Sequence, residues 1–93
     1  MTAIEPKTGQ YEELLSDAVD AAEVAAPTGT PLAAAGEDCI EMARSYLEDG
    51  RHFEENEDLV NALAAFSYGH AWLDAGARIG VLDVPTEGSL FTV

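Results

Sequence analysis

From Asp58 to Val81 the chain is helical in period and apolar around almost its whole circumference, and this constrains the fold more than any other feature. At about 100° per residue, the polar side chains after Asp58 are Asn61, Ser67, His70, Asp74 and Arg78, and the last four share one narrow wedge. Leu59, Leu63, Phe66, Tyr68, Trp72, Leu73, Ile79 and small residues fill the rest. Such a helix must be surrounded by neighbours, because its apolar surface gains from leaving water on nearly every side. The remaining chain reads as two more helices. The expected fold is therefore all-α, an antiparallel up-down three-helix bundle with two long helices and a short C-terminal tail.

The breaks between helices are set by backbone chemistry. Residues 1–10, with Pro6 and Gly9, read as a flexible lead-in, and residues 11–93 as a single helical domain. The first helix is expected over about 11–26, with Tyr11, Leu14, Leu15, Ala18, Val19 and Ala22 on one face and acidic residues opposite. Pro27-Thr28-Gly29-Thr30-Pro31 ends it, since two prolines and a glycine make helix continuation costly. Thr30 and Pro31 suit the N-cap and first turn of a second helix over 31–55. Gly50 lies inside that helix and costs about 1 kcal/mol relative to alanine there, so either a neighbour approaches closely at that point or the helix bends or ends near it. Asn56 is suited to the left-handed conformation that ends a helix, and a third helix follows over 58–81. The tail, 82–93, ends in Leu90, Phe91 and Val93, and Phe91 is expected to fold back on the bundle or reach a partner.

Charge narrows the setting. The chain has 93 residues, room for one domain, with 18 acidic against 4 basic side chains, a net charge of -14 and a pI near 4.1. Disorder does not follow from this, because 47% of the residues are hydrophobic and fall in helical periods. Self-repulsion of this size opposes folding in dilute buffer, whereas molar salt screens charges to within about 3 Å. Lys7 is the single lysine, and abundant carboxylates with alanine form the surface expected of a salt-adapted archaeal protein. No basic patch is present to displace counterions from phosphates, which argues against nucleic acid as a partner. Met1 to Gln10 lacks a signal-peptide core and no stretch spans a membrane, so a cytoplasmic, soluble protein is expected. Cys39 is the lone cysteine, which excludes an intrachain disulfide and fits a reducing interior.

Several residues invite a chemical reading. Ser67, His70 and Asp74 have triad chemistry, but on one outward helix face they cannot aim at one another beside an oxyanion hole, and a solvated stripe is expected. Asp74 and Arg78, four apart, suit an ordinary helical ion pair. His70 with Asp74, or His52 with Glu54 or Glu55, offers only two metal ligands, short of a site. Arg44 and the pair Arg51-His52 could assist RNA cleavage, but isolated arginines on an acidic helix are expected to pair with Glu41, Glu48 and Glu55. Asn61 projects onto the face of Tyr68, Trp72 and Ile79. Buried there, its amide must bond to Tyr46, Tyr68 or the backbone at the second turn, or anchor a ligand in a small pocket. The residues singled out for a pocket or interface are thus Asn61, Tyr68, Trp72, Tyr46 and Phe91. No catalytic residue, metal or cofactor is expected.

The segment Ala43-Arg44-Ser45-Tyr46-Leu47-Glu48-Asp49-Gly50-Arg51-His52-Phe53 carries a resemblance to a known family. So do the run Asn61-Ala62-Leu63-Ala64-Ala65-Phe66-Ser67-Tyr68-Gly69-His70-Ala71-Trp72-Leu73-Asp74-Ala75-Gly76 and the closing Leu90-Phe91-Thr92-Val93. Together they make the chain resemble the archaeal family catalogued as domain of unknown function 357, from about Tyr11 onward. The resemblance implies a compact three-helix bundle, of haloarchaeal type here, and attaches no activity or cofactor. A looser likeness is to HEPN helical domains, some of which cleave RNA or bind nucleotides. Their nuclease members place an Arg several residues before a His near the end of the bundle. Here Arg78 has no His after it, and the gap from Arg44 to His52 is too long. The expected function is a non-enzymatic interaction or self-association module with a protein partner. The alternative is a degenerate HEPN-like RNA- or nucleotide-processing domain.

Overall fold

The computed structural model describes residues 3–91. Three helices form the body: α1 (Ile4–Ala21), α2 (Pro31–Glu55) and α3 (Leu59–Ile79). They make the expected all-α bundle. Arg51 near the end of α2 reaches Glu12 of α1, while Gly36 near its start lies beside Val24, so these two helices run in opposite directions. Gly50 meets Phe66 and Gly76 approaches Cys39, so α2 and α3 are antiparallel as well.

Local chemistry sets the α2 and α3 ends. The Thr30 hydroxyl accepts from the Ala33 N–H at 3.1 Å, and Pro31 opens the first turn of α2, where its missing N–H costs nothing. The helix runs unbroken through Gly50 to Glu55. Asn56 itself keeps a negative φ, and Glu57 takes the left-handed conformation instead, with φ 60°. Asp58 caps α3 by accepting from the Asn61 N–H at 3.3 Å. Gly80, with φ 98°, closes α3, and the Val81 N–H returns to the Gly76 carbonyl at 2.9 Å.

α1 departs from expectation at both ends. The lead-in expected over residues 1–10 is helical from Ile4 on, and the unstructured reading is corrected over that stretch. Pro6 lies in the first turn, where no intrahelical N–H bond is lost. Thr8 is fully buried, its hydroxyl satisfied by the Ile4 carbonyl at 2.6 Å. The helix then stops at Ala21 rather than Ala26. Glu23–Val24 (β1) pairs antiparallel with Leu82–Asp83 (β2), and the Ala25 N–H donates to the Val81 carbonyl at 3.0 Å. The tail thus supplies partners for a backbone that local propensity would leave helical.

The core is built from Leu15, Ala18 and Val19 of α1, Ile40, Ala43 and Leu47 of α2, and Ala62, Phe66 and Leu73 of α3. Val81, Leu82 and Phe91 close it from the tail, so Phe91 does fold back on the bundle. Two helices and a tail cover one side of α3 and no more. Its outer side carries Val60, Tyr68, Trp72 and Ile79 in solvent, at 70%, 61%, 39% and 76% exposure.

Candidate functional site on the outer face of the third helix

That outer face holds four of the five large apolar side chains exposed among the described residues. Tyr68, Ala71, Trp72, Ala75 and Ile79 recur at three- and four-residue steps on α3, and all five are exposed. α2 contributes Tyr46, whose ring lies 5.8 Å from that of Tyr68 at a 44° tilt. Between Tyr46, Tyr68 and Trp72 is a shallow hollow of about 300 Å³, lined also by Ala71 and Ala75. A second hollow, of about 170 Å³, is lined by Tyr46, Asp49, Phe53, Asn61, Ala64, Ala65 and Tyr68. The two share Tyr46 and Tyr68, so they belong to one face.

The structure separates the five residues read from the sequence. Tyr46, Asn61, Tyr68 and Trp72 lie together along this face. Phe91 does not. It is buried with its ring 5.8 Å from that of His70, beside a groove formed with Tyr11, Leu14 and Phe66. Asn61 is also corrected in its surroundings: it is exposed, and its Nδ2 donates to Asp58 Oδ2 at 2.7 Å. It reinforces the α3 cap, with no bond to Tyr46 or Tyr68 and no buried amide to satisfy.

The polar wedge of α3 is not fully solvated either. Ser67 is exposed and donates to the Leu63 carbonyl at 2.9 Å, an ordinary helical back-bond. His70 is half-buried beneath the tail: Nδ1 faces Asp74 Oδ2 at 3.0 Å, and Nε2 bonds the Leu90 carbonyl. Both ring nitrogens are thereby occupied, and neither faces the Ser67 hydroxyl. A base already committed twice to other partners has no free position from which to activate a serine.

The α2 cations diverge. Arg51 Nε bonds Glu12 Oε2 at 2.8 Å, an interhelical pair in place of the expected α2 carboxylates. His52, its neighbour, stands 3.5 Å from Asn56 Nδ2. Arg44 lines an open groove with Glu37, Glu41 and Glu48. Beside the Arg51–Glu12 bridge, burial and a proton shared with Glu12 raise the Glu54 pKa above the ordinary value. Burial and then the Asp38 charge raise that of the Cys39 thiol. Among the described residues, no three His, Cys, Asp or Glu side chains gather to hold a metal, and no helix is long and apolar enough to cross a membrane.

The face therefore offers shape and apolar contact in place of reactive groups. The alanines at its floor were overlooked in the sequence, although their three- and four-residue spacing from Tyr68 and Trp72 was visible. A family model described as "Protein of unknown function (DUF357)" matches residues 10–82, and the chain belongs to that family. No curated protein and no solved structure matches it.

Proposed function

We propose that this member of the family is a non-enzymatic protein–protein interaction module that engages its partner through the outer face of α3, in the salt-rich cytoplasm of an archaeon. The supporting observation is the exposure of Tyr68, Trp72 and Ile79 on a single stripe around an alanine-floored hollow. Single exposed apolar residues are ordinary on any protein, but a contiguous aromatic stripe rimmed by polar residues marks a surface that another molecule covers. Tyr and Trp also supply much contact area for little loss of side-chain freedom, which suits them to anchor an interface. The net charge of -14 complements this arrangement by discouraging unspecific association elsewhere on the surface.

The test uses two baits, the wild type and a Tyr68→Ser/Trp72→Ser variant, in extracts of the native cell at molar KCl. Both substitutions lie on the exposed face, and circular dichroism checks that the helices persist. Proteins held by the wild type and released by the variant support the proposal. Identical sets of bound proteins would end it.

A further inference from the structure

The outer stripe of α3 is its own complement when reversed. Its members are Ala64, Tyr68, Ala71, Trp72, Ala75 and Ile79, separated by steps of 4, 3, 1, 3 and 4 residues. The spacing reads the same from either end, while the sizes invert. Turning the stripe about the point between Ala71 and Trp72 sets Ala64 on Ile79, Tyr68 on Ala75, and Ala71 on Trp72. Each large side chain of these six meets an alanine, and Val60, on the same side, falls past the end of the other copy's α3 at Ile79. A two-fold axis perpendicular to the helix performs this reversal, and two-fold pairing is the commonest symmetry of protein assemblies. The result is an antiparallel helix pair in which knobs enter holes over about 22 Å.

Charge selects the same occupant. From Leu59 to Leu82 the chain holds one acidic residue, Asp74, and that carboxylate is turned to His70 beneath the tail. Asp49 of α2 is the one acid that lines the two hollows, so another copy with a net charge of -14 meets fewer carboxylates on this side than along α1 or the rest of α2. A cationic partner would instead be drawn to the carboxylates of α1 and α2. The hollow beside Tyr46 supplies the receiving shape, because Ala71 and Ala75 line it between Tyr68 and Trp72.

We infer that the occupant of this face is a second copy of the chain, docked antiparallel about an axis between Ala71 and Trp72. This rests on the interaction function proposed above and adds the partner and the register. Trp72 of one copy lies over Ala71 of the other, Tyr68 over Ala75, and Ile79 over Ala64.

Size exchange tests the register. Tyr68→Ala, Ala75→Tyr and the double variant are compared with the wild type by analytical ultracentrifugation in molar KCl. Each single change should weaken the dimer about tenfold or more, by a hole or by a Tyr–Tyr clash, and the double variant should return to within about threefold. A double variant as weak as its parents combined would overturn the register. Should Ala75→Tyr fail to fold, an Ala64→Cys copy is mixed with an Ile79→Cys copy, both carrying Cys39→Ala. A short bis-maleimide should then join unlike copies, whereas joining of like copies would overturn the antiparallel arrangement. A wild type that stays monomeric in molar KCl would overturn the second copy as occupant. Stripe-dependent capture in the bait experiment would then leave the interaction function standing, and loss of both would remove both.

Discussion

Phe66 of α3 packs directly against the backbone of α2 at Gly50. A β-carbon built there would overlap three ring atoms, the farthest of them at 2.8 Å. Gly50 is buried and Phe66 only 1% exposed, so the ring has no open side to move toward. Helix propensity favours alanine at this position by about 1 kcal/mol. Overpacking opposes it by about 1–3 kcal/mol, and the enclosed ring puts this case toward the upper end. Gly50→Ala should therefore lower stability in a denaturant titration, against its propensity. Adding Phe66→Leu should make the alanine substitution less harmful than it is beside phenylalanine.

The contact between α1 and α2 near Arg51 has a pH signature. Burial raises the Glu54 pKa most, then the proton shared with Glu12 and that residue's charge, while Arg51 acts in the opposite direction. A carboxyl whose folded pKa is raised binds its proton more tightly in the native state. Its contribution to stability is thus fully present below the ordinary value near 4.5 and is lost as pH rises through the folded value. Glu54→Gln keeps a donor toward Glu12 without the charge. The variant should melt higher than the wild type near neutrality, and the difference should vanish below about pH 4. The side chain is largely solvated, so the effect should be small and should shrink further in molar salt.

Local signals in the sequence were enough to set the bounds of α2. Thr30, Pro31 and the helical period act within a turn, and the observed helix is the expected one. Gly50 was legible only in part: its place in a periodic helix pointed to a close contact or to a bend, and the Phe66 ring decides for the contact. The end of α1 was not legible. It is set by the Ala25–Val81 backbone bond, between residues far apart in sequence, which outweighs the helix preference of the alanines. Helical projection put Asn61 with Tyr68 and Trp72, and Asn61 and Tyr68 line one hollow. Projection could not say whether anything covers the face, and burial depends on the neighbours. His70 shows the same limit, since only the fold brings the Leu90 carbonyl over it.

The tail should act as a latch over the groove between α1 and α3. His70 holds it at Leu90, and Phe91 is buried at 8% exposure against the core. Phe→Ala in a packed core costs about 3–5 kcal/mol, and a site in a short irregular segment that can collapse onto the space left belongs below that range. Phe91→Ala should therefore destabilise the whole protein measurably. His70→Ala should act more locally, freeing residues 84–91 while leaving the helices formed. Limited proteolysis separates the two effects: the His70 variant should be cut in the tail at a temperature where its helical signal is unchanged. Equal resistance of that variant and the wild type would mean that the apolar contacts of Val84, Leu90 and Phe91 hold the tail without the His70 bond.

Asp20 isolates the contribution of excess negative charge. It is exposed in the last turn of α1, which contains no basic residue, and Asp17 stands three positions before it. The unpaired carbonyls at a helix C-terminus carry partial negative charge, so an acid there is repelled by both the helix end and its neighbour. Asp20→Lys reverses each term, and the helix-end interaction alone is worth about 0.3–1 kcal/mol at low ionic strength. The variant should be more stable than the wild type in dilute buffer. In molar KCl, where screening acts within about 3 Å, the two should converge. Thermal melts across a KCl series measure both outcomes at once. The wild type should rise steeply with salt and the variant less so, because part of its repulsion has already been removed. If their difference stayed constant across the series, the gain would come from local contacts of the new lysine, and charge would not be what limits this fold in dilute buffer.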